Sequence, residues 1–272
     1  MQFSFDIFGI PITISEQLIQ GLQAYAMAMV LLVVLIFITR WQGLDVTDKL
    51  LIGTLRGTIQ IVIVASVLLA IFDIKNILLI YAMLVFMCLS AAYTARNNLD
   101  EIDGVATAAL PGILVGGLLV MTLTIVMGII PPIGEYIIPM GGMVIGNCMS
   151  LCSLLIERMH SDAQKQRGLL ETALALGATP YEASETSIRD AMSSSIIPML
   201  NRYAALGIVS IPGLMSGMII GGQDPIYSAL YQVIIFVMIF LGQVIAAEMT
   251  SRLFLKQIFN ERMQITVAAR SS

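Results

Sequence analysis

The chain has 272 residues, 58% of them hydrophobic and only 12% charged, with a formal net charge of -4. Soluble domains carry about 25% charged residues, so this composition leaves apolar surface that water cannot solvate. It excludes an ordinary soluble enzyme, and the acidic balance gives no reason to expect a nucleic-acid partner. Three cysteines, two of them in one apolar run, make no disulfide framework.

No Lys or Arg precedes Arg40, so the N-terminus lacks the basic opening of a cleaved signal peptide. Apolar runs long enough for a hydrocarbon core, which takes roughly 20 residues, predict seven helices. They cover about 20–39, 57–72, 76–95, 105–128, 136–157, 196–220 and 227–254. Basic residues sort to the connections after spans one, three and five and to the C-terminal tail. These are Arg40, Lys49, Arg56, Arg96, Arg158, Lys165, Arg167, Arg189, Arg202, Arg252, Lys256, Arg262 and Arg270. The opposite side keeps Lys75. Positive charge stays cytoplasmic, so the N-terminus is expected outside and the C-terminus inside, as an odd number of spans requires.

The fold expectation is therefore an all-α, multi-pass protein of the cell inner (plasma) membrane, with 1–272 as one transmembrane domain. The longest cytoplasmic excursion, about 158–195, is too small to bury a core of its own. No G-x-x-x-x-G-K-[S/T] occurs, so the chain is expected to bind no ATP and no other cofactor. No internal repeat is visible.

That excursion holds the one stretch that reads as a mechanism, GLLETALALGATPYEASETSIRDAMSSSIIP at 168–198. Gly177 is placed to end a helix, because glycine tolerates the left-handed C′ conformation. Thr179 then serves as N-cap, Pro180 sits at N1 and Glu182 falls at N3, a capping box. Two helices meeting at a corner at Gly177-Ala178 are predicted. Leu169, Leu170, Ala173 and Leu174 share one face of the first, open to a partner or to the membrane surface. An interfacial hairpin lying on headgroups is the plainer reading. Acidic Glu171 and Glu182 oppose it, since membrane-surface helices favour Lys and Arg.

The pattern Glu171-Thr172-Ala173, three residues, then Gly177-Ala178 resembles the cytoplasmic EAA-type loop of ABC-transporter permeases. In that family the loop docks the ATPase. Importer loops continue to a Leu-Pro pair, whereas here Ile188-Arg189-Asp190 follows and the proline comes at Pro198. Further strings resemble the FetB-type permeases, which include a bacterial iron-export permease and plant permeases linked to aluminium tolerance. They are RGTIQ at 56–60, GMVIGN at 142–147, LALGATPYEAS at 174–184, SIRDAM at 187–192 and GIVSIPGLMSGMIIGGQDPIYSALYQ at 207–232. The resemblance implies a homodimeric or pseudo-symmetric unit in membrane lipid, paired with two copies of a cytosolic ATPase that binds ATP-Mg, and outward movement of iron or a related metal. Coupling would fall to Glu171, Gly177, Ala178, Thr179, Pro180 and Glu182.

Polar groups within spans are costly and face protein or water. Gln60, Asn147, Asn201 and Gln243 are candidates for a translocation path, with interhelical hydrogen bonding as the alternative. Asn201 and Arg202 are expected where the sixth span enters the membrane, and Arg56 as a snorkelling cation. Gly141, Gly142 and Gly146 would let a neighbouring helix approach. Met143, Cys148 and Cys152 offer soft sulfur that suits Cu(I) or zinc, or merely pack. His160, the one histidine, excludes a multi-histidine centre. Pro212, Gly213, Gly217 and Asp224 interrupt the sixth span, either as a flexing kink or as close packing with Asp224-Pro225 opening the next helix.

The residues exclude several intramembrane enzymes. No aspartate lies deep in a span, and one histidine cannot make H-E-x-x-H. A transport permease, not an enzyme, is expected. An ion-coupled secondary transporter, or an ABC permease for a non-metal solute, remains the alternative.

Overall fold

The structure, a computed structural model, describes residues 3–7, 10–14, 16–44, 46–74, 76–260 and 264–265. Lys75, Arg262 and Arg270 of the charge reading lie outside the described residues, and the side chain of Lys49 is not described. The chain divides into two compact units, Met1–Ala70 and Ile71–Ser272.

The first unit opens with an antiparallel hairpin, β1 (Phe3–Ile7) and β2 (Ile10–Ile14), where the sequence predicts no element. Helix α1 (Glu16–Trp41) follows, and α2 (Thr47–Ile74) begins in this unit and ends in the next. Gly43 turns the chain between them at φ +69°. Tyr25 and Thr58 join hydroxyl to hydroxyl at 2.9 Å, and Arg40 Nε donates to Thr47 Oγ1 at 3.4 Å.

The second unit is helical: α3 (Ile77–Asn98), α4 (Val105–Val126), α5 (Gly134–Lys165), α6 (Arg167–Ala175), α7 (Pro180–Ala204), α8 (Gly213–Ile220) and α9 (Pro225–Ile258). Across the described residues six helices are long and apolar enough to cross a membrane: α1, α2, α3, α4, α5 and α9. The expected sixth span, 196–220, is not one helix. Its first part belongs to α7, residues 205–212 are irregular, and α8 supplies the rest.

Three contacts rise together along α5 and α9. The rings of Tyr136 and Tyr231 lie 6.0 Å apart, Gln243 Nε2 donates to the Asn147 carbonyl at 3.1 Å, and Cys152 Sγ sits 3.3 Å from Thr250 Oγ1. The two helices are therefore parallel. Helix α4 runs against them, with Gly104 beside Gln257, Gly112 beside Thr250 and Gly116 beside Gly242. Helix α3 in turn opposes α4, through Tyr81 and Thr122 at 2.9 Å.

Parallel helices need a return leg between them. Helix α7 provides most of it, antiparallel to α9, with the Tyr203 ring 5.7 Å from Phe236 and 5.6 Å from Phe240. Helix α8 completes it, where the Met215 N–H reaches Gln232 Oε1 at 3.3 Å.

The core sits where α3, α4, α5 and α9 meet, around Leu84, Ile113, Met121, Val144, Leu155 and Phe254. Its density comes from glycine. A methyl built at Gly112 would lie 2.6 Å from the Ala246 carbonyl oxygen, and one at Gly141 2.5 Å from Leu84 Cδ2. Small residues at such a seam let backbones approach and gain dispersion contacts that lipid cannot supply.

Candidate functional site

The polar corner is built by local chemistry. Helix α6 ends in a Schellman arrangement: Gly177 takes φ +95°, its N–H reaches the Leu174 carbonyl at 3.0 Å, and the Ala178 N–H reaches Ala173 at 3.1 Å. Helix α7 starts two residues later. Thr179 Oγ1 accepts from the Glu182 N–H at 3.3 Å, while Glu182 Oε2 accepts from the Thr179 N–H and hydroxyl, both at 2.8 Å. Pro180 occupies the first turn, where a missing N–H costs nothing. Those two bonds from Thr179 hold the Glu182 carboxyl below its ordinary range. Glu171 pairs with Arg167 at 2.8 Å on the exposed side of α6. All six residues assigned to coupling thus lie within one short segment whose two ends are fixed by hydrogen bonds.

Three details differ from the sequence expectation. The polar stretch from 158 does not start as a loop, because α5 continues as a helix to Lys165. Leu170 does not face outward with Leu169. It is 3% exposed, packed against its own chain, while Leu169 and Leu176 point to solvent. Arg202 and Asn201 do not lie near the start of a helix, where a span over 196–220 would put them. They stand at the end of a helix that begins at the capping box, roughly 34 Å further along at 1.5 Å per residue.

Of the path candidates, Asn147 and Gln243 are brought together. Gln243 is 4% exposed, and its Nε2 donates across to α5, but to the backbone oxygen of Asn147. The Asn147 amide itself donates to the Met143 carbonyl at 2.8 Å within its own helix. Gln243 Oε1 is buried without a partner among the described residues. Asn201 is exposed on α7, and Gln60 stands exposed on α2 in the first unit, as does Arg56.

The proline–glycine run resolves into helix ends. Pro212 is the N-cap of α8, Gly213 its first residue and Gly217 lies inside it with open space around. Asp224 caps α9, its Oδ1 accepting from Ile226 and Tyr227 at 2.9 and 3.0 Å. That is the plainer of the two readings for Asp224-Pro225.

Cys88, Cys148 and Cys152 are all buried and free. Cys152 pairs with Thr250, and a methyl at Gly242 would meet Cys148 Sγ at 3.2 Å, so the sulfurs pack the seam between α5 and α9. Among the described residues no group of three His, Cys, Asp or Glu could hold a metal ion. Where α5 and α9 end, a cavity of about 940 Å³ is lined by Asp100, Glu101, Asp103, Glu157, His160 and Gln257 among others. His160, expected in a loop, stands on α5 in its wall.

Sequence reasoning missed the glycines that matter most. Gly112 and Gly116, spaced i, i+4 on α4, meet α9 at Ala246 and Gly242. Their G-x-x-x-G spacing was the available signal. Gln232, which holds α8 to α9, carried no comparable one.

Residues 22–259 match the family described as Uncharacterised protein family (UPF0014). The chain is similar to the Escherichia coli protein named "Probable iron export permease protein FetB", 32% identical, covering 90% of this chain and 95% of the relative. It is similar to the Arabidopsis thaliana "Protein ALUMINUM SENSITIVE 3", 28% identical over 93% of each chain. The Synechocystis "UPF0014 membrane protein slr1647" is 32% identical, over 85% of this chain and 91% of its own length. No solved structure matches. A family match spanning all but the two ends, with relatives aligned over nearly their full lengths, places the sequence without ambiguity: this chain belongs to the UPF0014 family of membrane proteins.

Proposed function

We propose that the chain is the membrane-spanning permease subunit of an ABC transporter, moving iron or a related metal out of the cytoplasm. ATP would be bound and hydrolysed as ATP-Mg on a separate cytosolic ATPase, two copies of which serve a homodimer of this chain. The observation that carries the reading is the corner at Gly177. A Schellman end and a capping box leave α6 and α7 little freedom to bend against each other, so a push on α6 is delivered along α7 to its far end beside Phe236 and Phe240. The relative named as an iron export permease supports the cargo class.

In this reading the corner is cytoplasmic, the C-terminus is inside and the N-terminus outside, in the inner membrane. The crossing between α5 and α9 is made by α7 and α8 together, which gives seven crossings with one broken. Partner ATPases close on nucleotide, move α6, and tilt α7 against α5 and α9 to open a route outward.

The broken crossing also favours a second reading, an ion-coupled secondary transporter, because discontinuous helices line the sites of many such carriers. One assay separates them. ATPase activity of the candidate partner is measured with and without this chain in nanodiscs, titrating iron and other metals. Binding and metal-stimulated hydrolysis support the pump. A chain that moves metal yet binds no ATPase supports the carrier.

A further inference from the structure

The break between α7 and α8 sits deep beside α9. Tyr203, just before it, lies against Phe236 and Phe240, and Met215, just after it, bonds to Gln232. At 1.5 Å per residue these levels are roughly 10–20 Å along α9 from its first residue, within its apolar length. Irregular backbone at such depth is tolerated where protein buries it or water reaches it, never against lipid tails.

Among the described residues of the second unit, none buries the middle of this segment, while Ala205, Leu206 and Pro212 at its ends are half-buried. Ile208 is 94% exposed and Val209 81%, and Ile211 is exposed as well. Some backbone groups close on themselves: Val209 and Ser210 N–H both reach the Ala205 carbonyl, and Gly207 N–H reaches Ser210. The N–H groups of Ile208 and Ile211, and the carbonyls of Gly207, Ile208 and Val209, have no partner among the described residues. Side chains add to the demand. Asn201 and Arg202 are exposed on the last turn of α7, and Arg202 has no carboxylate within ion-pair distance among the described residues. A charged group at mid-span has to face water or a polar partner.

We infer that residues 205–212, with Asn201 and Arg202, form a water-exposed wall of the route through the membrane. The wall is made by the broken crossing and not by the Asn147–Gln243 pair in the packed seam. Water satisfies the open peptide groups and solvates the guanidinium. The cargo then passes a surface of backbone carbonyls and N–H groups. This deepens the permease reading and rests on it for the word route, while the water exposure itself does not.

Thiol labelling in nanodiscs tests it, since both faces are open to reagent there. The three native cysteines are buried, so an introduced one reports alone. Val209→Cys, Ser210→Cys and Ile211→Cys are made singly, with Gly222→Cys in the α8–α9 turn as the wet control. Val237→Cys, on the apolar exposed stripe of α9, is the dry control. Ionised thiols, which need water, attack a charged methanethiosulfonate, forming a mixed disulfide and releasing methanesulfinate. We expect labelling at 209–211 within about tenfold of the Gly222 rate and far above that at Val237. Three positions keep the test alive if one variant fails to fold. Labelling as slow as at Val237, or disulfide-linked dimers at Ser210→Cys under mild oxidant, would overturn the inference in favour of a protein-covered break. Failure of ATPase binding would sink the permease reading and leave these rates unchanged.

Discussion

Gly116 and Gly242 meet backbone to backbone where α4 crosses α9. A methyl built on Gly116 would lie 2.5 Å from the Gly242 carbonyl oxygen, and one on Gly242 3.2 Å from the Gly116 carbonyl oxygen. Neither neighbour is a flexible side chain that could step aside. Gly116→Ala is therefore expected to push the helices apart and cost about 1–3 kcal/mol, as overpacking does. Gly146→Ala, with nothing within 4 Å of the new methyl, is the matched control and should leave stability unchanged. Unfolding midpoints in detergent compare the two. Equal midpoints would mean that the α4–α9 seam is looser than this geometry.

The Gly177 corner makes a different demand. A methyl there meets nothing within 4 Å, so any cost comes from φ +95° and not from crowding. Asparagine tolerates this region far better than a β-branched residue. Gly177→Val should abolish stimulation of the proposed partner ATPase, while Gly177→Asn keeps much of it and both variants stay folded. Thr179→Ala removes the N-cap acceptor, which costs a helix about 1 kcal/mol, and should give an intermediate loss. Hydrolysis rates with each variant reconstituted decide the order. If Gly177→Val couples as well as the parent, the corner is not the transmission element.

These two sites differ in how much of them the sequence disclosed. The corner was legible because every contact in it spans five residues or fewer, from Ala173 to Glu182. Residue types at fixed offsets settle such geometry. The α4–α9 seam needs a pairing between residues far apart in the chain, and that pairing is a property of packing. The same holds for Gln243 and Asn147, where two polar residues could be nominated but not joined. The inward turn of Leu170 depends on α6 folding back on its own chain. The position of Arg202 at the end of a helix was hidden for another reason. Polar residues over 180–195 lower the hydropathy, which hides that α7 runs unbroken from the capping box.

The capping box also fixes a pH dependence. The Thr179 N–H and hydroxyl bond the charged form of Glu182, so its folded titration lies below the ordinary value of 4.5. A depressed carboxylate contributes fully above its ordinary value, and that contribution is lost as pH falls through the depressed one. Cleavage at the corner by an acid-tolerant protease, on the chain in nanodiscs, should be flat from about pH 8 to 5 and rise below about 4. Glu182→Ala should be cleaved faster at every pH, with Glu182→Gln between them, since Gln can also serve the box. A rise that begins near neutrality would point to another group.

Gln243 presents a choice between glue and path. Its Nε2 bond to Asn147 ties α9 to α5, but Oε1 is buried with no partner among the described residues. Replacing it by an apolar side chain of similar volume loses one hydrogen bond and removes one desolvated acceptor. These terms offset, so Gln243→Met should keep stability within about 1 kcal/mol of the parent. Gln243→Glu places a charge in the same closed seam and should be strongly destabilised. With the break between α7 and α8 as the wet wall, transport and ATPase stimulation by Gln243→Met should stay near parental levels. Asn201→Ala and Arg202→Ala, exposed beside the break, should reduce them. A folded Gln243→Met that no longer transports, beside an Asn201→Ala that does, would move the route into the α5–α9 seam.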